Sequence, residues 1–216
     1  MESFENLRFA PQAPCSLALG AFDGLHPGHL AVIKAALQGG LPAAVFTFPS
    51  APSGEPAVVT GEDKARLLAG LGVGRVYSVE FEALRNMEAS GFVEQVLFQK
   101  INARRLCCGE DFRFGRGAAG DTALLRALCE SRGVELQVVP PVKLDGEKIS
   151  STRIRQAVEA GEIPQANRLL GRPFGFALEV IHGNHIGRGL GTPTINQALP
   201  SGFVLPRFGV YAAWCQ

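Results

Sequence analysis

Apolar positions gather in five short runs, at residues 16–19, 43–48, 73–79, 103–109 and 134–139. Several are apolar on both faces, the pattern of strands in a parallel sheet with helices covering either side. Between the runs the spacing becomes helical. Leu30, Ile33 and Leu37 recur at helical intervals. Thr60, three residues before Asp63, forms a capping-box variant ahead of Leu67, Leu68 and Leu71. Ser90 is placed to cap a segment burying Phe92, Val93, Val96 and Leu97, and Asp121 one with Leu124, Leu125 and Leu128 that stops at Gly133. The alternation predicts an α/β fold built on a doubly wound parallel sheet, whose ligands sit beyond the carboxyl ends of the strands.

The pattern changes after Gly171. Gly, Pro and short β-prone runs at 177–181 and 210–214 replace helical periodicity. The expected division is one domain over residues 1–171 and the beginning of a β-barrel over 172–216, a stretch too short to close a sizeable barrel.

Composition narrows the function. With 46% hydrophobic and 19% charged residues the chain reads as globular, and a net charge of +1 without like-charge runs gives no basis for generic binding to nucleic acid or anionic membrane. The N-terminal stretch carries Glu2 and Glu5 and lacks the apolar centre of a signal peptide. No run approaches the roughly 20 apolar residues that span a bilayer. Five cysteines, an odd number without CxxC spacing, read as buried hydrophobes in a reducing cytoplasm.

Three segments carry chemistry. The first apolar run leads into Gly20-Ala21-Phe22-Asp23-Gly24-Leu25-His26-Pro27-Gly28-His29, where a helix starts. A helix N-terminus presents unpaired N–H groups and the positive end of its dipole, and two imidazoles add donors there. An isolated HxxH is usually a pair of surface histidines; the strand, turn and glycines around this one favour an anion site. The second segment is Ile149-Ser150-Ser151-Thr152-Arg153-Ile154-Arg155, a capped helix start in which Thr152 and Arg155, three apart, share a face and can grip one polyphosphate. Alone it reads better as an ordinary capped helix with an exposed arginine. The third, Gly109-Glu110-Asp111-Phe112-Arg113-Phe114-Gly115-Arg116-Gly117, follows a strand. Its aromatics are balanced between flanking a planar ligand and packing in the core.

In this order the three segments resemble the prokaryotic bifunctional riboflavin kinase/FAD synthetase family, together with Asp63-Lys64-Ala65-Arg66-Leu67-Leu68 and Val138-Val139-Pro140-Pro141-Val142. HxGH alone marks only the wider nucleotidyltransferase superfamily. The resemblance implies an FMN adenylyltransferase with ATP and FMN as substrates and Mg2+ as cofactor. It places His26 and His29 on the ATP phosphates as catalytic groups with Arg155. Gly20, Phe22, Gly24, Gly28, Asp111, Ser151 and Thr152 fall in the ATP site, and Phe48, Phe112 and Phe114 towards the flavin. Arg188, Gly189, Gly191, Thr192, Pro193, Thr194, Ile195 and Asn196 resemble a kinase motif in which Thr194 and Asn196 help bind magnesium-ATP.

The sequence departs from the family pattern in places. Relatives read T-F-E-P-H-P where this chain has Thr47-Phe48-Pro49-Ser50-Ala51-Pro52, and their Asn before Phe22 is Ala21. Thr192 and Ile195 replace Phe and Ala in the kinase motif. The family's catalytic kinase Glu lies beyond the point matching Gln216, so the expectation is FAD formation without riboflavin phosphorylation. His182 and His185 read as loop residues. Two alternatives stand beside FAD synthesis: transfer of AMP or CMP to another phosphorylated acceptor, and a non-catalytic flavin or nucleotide sensor.

Overall fold

The computed structural model describes residues 1–5, 7, 9–181, 194–199 and 201–215. All five apolar runs form strands: β2 (Cys15–Leu19), β3 (Ala43–Thr47), β4 (Arg75–Ser78), β5 (Ala103–Gly109) and β6 (Glu135–Val139). They join β1 (Glu2–Glu5) in a parallel sheet of order β1-β4-β3-β2-β5-β6. The chain winds outward from β2 through β3 to β4, then returns to lay β5 on the other side of β2. That reversal is the switch point where open α/β sheets hold ligands.

Alternate residues face opposite sides of the sheet, so each strand feeds two cores. Leu17, Leu19, Phe46, Tyr77 and Leu106 pack on one face against Phe92, Val93, Val96 and Leu97, and against Leu125 and Cys129 of α4 (Thr122–Arg132). Ala18, Val45, Val76 and Cys107 meet Val32, Ile33 and Ala36 of α1 (Pro27–Leu37) and Leu68 of α2 (Gly61–Gly70) on the other. Burying each large side chain contributes about 1.5–3 kcal/mol. A third core joins α5 (Ser151–Glu159) and α6 (Ile163–Leu170) to Val58 and Val204.

The predicted caps on Thr60, Asp121 and Ser150 are present, accepting from the N–H groups of Asp63, Leu124 and Arg153. Gly133 ends α4 in the left-handed conformation, φ 63°. Ser90 is not a cap: α3 (Ala89–Gly91) starts after Glu88 and runs into a π-helix over Phe92–Lys100, with Ser90 exposed inside it. The start is drawn back because Ala89 is buried, its backbone so close to Gly115 that any side chain there would collide at 2.6 Å.

In the C-terminal part, β9 (Val180–Ile181) pairs with β10 (Asn196–Gln197), a shorter strand than the run at 177–181 predicted. Residues 210–214 form no strand; Val210 and Trp214 are solvent-exposed, and a β-prone run needs a partner edge to become one. Gly202–Val204 instead straddles Ala57, whose N–H donates to the Gly202 carbonyl at 2.6 Å and whose carbonyl accepts from the Val204 N–H at 2.8 Å.

Candidate active site

A cavity of about 480 Å³ opens at the carboxyl ends of β2, β5 and β6. Its floor is the turn after β2. Phe22 and Leu25 there take positive φ, 50° and 45°, a conformation held because both side chains are buried. The turn delivers His26 to the N-cap of α1, where its Nδ1 accepts from the His29 N–H at 3.4 Å. Accepting at Nδ1 puts the neutral ring's proton on Nε2. A β-carbon at Gly28 would lie 3.0 Å from the His26 ring, so glycine makes room for the ring to fold over the helix start.

His26 and His29 stack with centroids 3.7 Å apart, and Phe22 meets His29 edge-on at 5.4 Å. Burial, reinforced by the Lys148 charge and opposed by Asp111, pushes the His26 pKa down to about 4. Burial, then the charges of His26, Lys64 and Lys148, hold His29 well below its ordinary value. Both rings are therefore neutral near pH 7, each with one N–H able to donate rather than a positive charge.

Asp23, buried in the same turn, ties the site together. One carboxylate oxygen accepts from the Val58 N–H at 2.8 Å, the other from Arg155 at 2.7 Å, and its carbonyl accepts from the Ser151 hydroxyl at 2.9 Å. Arg155 is fully engaged: Nε donates to the Pro56 carbonyl at 2.7 Å and Nη1 to Glu55 at 2.8 Å. Thr152 is exposed and Arg155 buried, and both line the cavity from α5. Arg155 clamps the loop carrying Glu55, and a polyphosphate would have to displace Glu55 to reach it.

Lys64 forms a second tie. Its buried ammonium donates to the Ala21 carbonyl at 3.2 Å and the Phe48 carbonyl at 2.9 Å, joining the ends of β2 and β3. Burial lowers its pKa, with the Asp23 charge opposing. The Asp145-Gly146 turn, both residues at positive φ, makes a hairpin of β7 (Lys143–Leu144) and β8 (Glu147–Lys148). That hairpin carries Lys148 to the cavity wall and into an ion pair with Asp111.

A second cavity of about 520 Å³ adjoins the first. Its walls are aromatic: Phe46, Phe48, Phe81, Phe92, Phe112 and Phe114. Phe112 and Phe114 stack at 5.5 Å, and Phe114 lies on Gly120, where a β-carbon would meet its ring at 2.6 Å. Phe114 thus does both things the sequence left open, packing in the core and facing this cavity.

Of the residues singled out in the sequence, Gly20, Phe22, His26, Gly28, His29, Phe48, Asp111, Phe112, Ser151, Thr152 and Arg155 line the first cavity. Gly24 does not; at φ 81° it is packed beneath Val58 and Leu170. Thr194 and Asn196 are exposed and line neither cavity. His182, His185, Arg188, Gly189, Gly191, Thr192 and Pro193 lie outside the described residues. Asp23, Glu55 and Lys148 line the first cavity and Phe46, Phe81 and Phe92 the second without having been assigned to them, and Lys64 ties the backbone at Ala21 and Phe48 behind them. Lys148 had a signal, directly preceding Ile149-Ser150, and Asp23 and Lys64 stand inside quoted motifs. The phenylalanines had none, because core and cavity aromatics share one sequence pattern.

Comparisons with known proteins identify relatives of the chain. The FAD synthetase family profile matches residues 9–153 and the riboflavin kinase profile residues 170–216. The bifunctional riboflavin kinase/FMN adenylyltransferase of Pseudomonas fluorescens is 36% identical over 208 residues, covering 91% of this chain and 67% of that protein. That of Escherichia coli K12 is 35% identical over 224 residues, covering 98% and 71%. Among solved structures, a protein named macrolide-efflux protein from Streptococcus pneumoniae superposes with a TM-score of 0.85 at 29% identity, covering 98% of this chain and 73% of its own. Pantoate-β-alanine ligase from Francisella tularensis shares the fold at a TM-score of 0.52 and 17% identity, covering 79% of this chain and 78% of its own. No helix among the described residues is long and apolar enough to cross a membrane.

Proposed function

The chain belongs to the FAD synthetase family, and from that premise we propose that the first cavity holds ATP, the aromatic cavity holds the flavin ring, and AMP passes between them. The enzyme is an FMN adenylyltransferase, converting ATP and FMN to FAD and pyrophosphate. The observation that carries the site assignment is the stacked His26–His29 pair at the start of α1, in a cavity continuous with one walled by phenylalanines.

In this reading an FMN phosphate oxygen forms a bond to the α-phosphorus of ATP as the bond to the α–β bridging oxygen breaks. The attacking oxygen is ionised at neutral pH, so no general base is required, and catalysis consists of alignment and charge stabilisation. The Nε2–H of His26 and a ring N–H of His29 donate to phosphate oxygens, and α1 adds the Gly28 N–H and its dipole. Ser151, Thr152 and Lys148 hold the outer phosphates. Arg155 joins them only after Glu55 yields. Mg2+ takes one or two carboxylates beside substrate phosphates. Asp111 suits it, lining the cavity with its side chain 72% exposed. The ion when bound offsets phosphate charge.

The remaining assignments belong to the same proposal. Gly171, left-handed at φ 69° and closing α6, supports a domain boundary there. Four buried free thiols, Cys15, Cys107, Cys108 and Cys129, support a reducing cytoplasmic setting. Thr194 and Asn196 are kept as candidate magnesium-ATP contacts of the kinase-like segment. The test is incubation with magnesium-ATP and FMN, riboflavin or phosphopantetheine separately. FAD and pyrophosphate should form with FMN alone; adenylylation of another acceptor would move the assignment of the second cavity.

A further inference from the structure

We infer that Arg113 is the residue that recognises the phosphate of FMN and so distinguishes FMN from unphosphorylated flavin. This rests on the two-cavity reading above. For transfer, the flavin ring must lie in the aromatic cavity while its phosphate reaches the α-phosphorus in the other, at about 3–3.5 Å. The phosphate therefore sits where the cavities meet. It carries between one and two negative charges near pH 7 and approaches a triphosphate that is itself anionic. A cation at the junction is the direct way to offset that repulsion.

Among the described residues Arg113 is the only charged one lining both cavities; the others common to the two are Gly20, Phe48, Pro52, Ser53 and Phe112. Its guanidinium is available. The side chain is 58% exposed and its ion pair with Asp121 is long, at 3.4 Å. The other cations nearby lie off the junction. Arg155, buried with three partners, and Lys148, paired with Asp111, line only the first cavity. Arg85 lines only the aromatic cavity, pairs with Glu82 at 2.5 Å and lies over the Phe81 ring. The backbone under Arg113 is fixed on both sides, by Phe112 N–H donating to the Gly109 carbonyl and by Phe114 paired with Gly120. Arg113 thus presents a fork of donors from a rigid loop, suited to bidentate contact with phosphate.

The test is flavin-fluorescence titration of the full chain and of Arg113→Gln and Arg113→Lys with FMN and with riboflavin, without ATP. Wild type should bind FMN more tightly than riboflavin. Arg113→Gln should lose about tenfold in FMN affinity, the weight of one charge-assisted contact, with riboflavin affinity unchanged. Arg113→Lys should recover part of the loss. If Arg113→Gln weakens both flavins equally, the side chain merely packs the ring and the inference falls. It falls equally if neither affinity changes in a chain that makes FAD. A wild-type chain that binds neither flavin nor makes FAD would remove the two-cavity reading itself, a distinct result.

Discussion

His26 and His29 lie ring on ring, their centroids 3.7 Å apart and their planes 21° from parallel. Two cations stacked so closely in a buried turn would repel strongly, so the pair persists as neutral imidazoles. The folded-state pKa values lie below the ordinary 6.5, His26 at about 4. The unfolded chain therefore binds more protons, and stability falls as pH drops from 6.5 towards 4. Imidazole NMR resonances should show no His26 titration near 6.5 and a midpoint near 4, moving upward when ATP binds. A free-protein midpoint near 6.5 would mean the stack is not formed in solution.

Removing a donor should cost rate more than stability. Asn is a good N-cap, so His26→Asn keeps the start of α1 while losing the Nε2 donor. Its adenylyl transfer rate, and that of His29→Ala, should fall by about 10²–10³, the effect of deleting one preorganised donor. FMN affinity should stay within twofold. Turnover close to wild type in either folded variant would detach the histidines from the chemistry.

The sheet and the helix starts were legible because each rests on local rules. Five apolar runs parted by helical spacing read as strands, several of them covered on both faces, and Thr60, Asp121 and Ser150 read as caps of what followed them. Edge strand β1, reading Glu-Ser-Phe-Glu, is indistinguishable from loop by alternation, and its identity as a strand comes from the distant edge of β4. The run at 210–214 fails for the converse reason, having strand-like residues but no edge to pair with among the described residues. In the site, the HPGH turn was legible because strand, turn and helix occur in sequence. Asp23–Arg155 was not, because its partners are 132 residues apart and their meeting is a product of the fold.

That buried pair should matter for stability as well as for binding. Arg155→Met leaves Asp23 buried without its counter-ion and should cost about 3 kcal/mol in denaturant unfolding, partly recovered in Asp23→Asn/Arg155→Met. Equal loss in the single and double variants would show that the ion pair itself contributes little.

Glu55 pairs with Arg155 at 2.8 Å and in the proposed site would compete with phosphate for it. Its side chain is 45% exposed, so Glu55→Gln should fold normally. Removing this partly screened charge should tighten ATP binding by about two- to fivefold, read by calorimetry. Weaker ATP binding would indicate that the carboxylate itself serves the nucleotide.

Lys64 holds Ala21 in the turn after β2 and Phe48 beside the aromatic cavity through their carbonyls. Lys64→Met fills the same space without donors. It should raise the KM for both ATP and FMN, because it loosens both walls at once. A change confined to ATP would recast Lys64 as a phosphate contact.

The central claim is transfer of AMP from the HPGH cavity to FMN in the aromatic one. Its most direct test uses ATP labelled at the α-phosphate, with magnesium and FMN, comparing the chain with its His26→Asn variant. The account predicts label in FAD, one pyrophosphate per FAD, and a loss of about 10²-fold or more in the variant. Label remaining in ATP, or appearing in FAD at equal rates with and without His26, would contradict it.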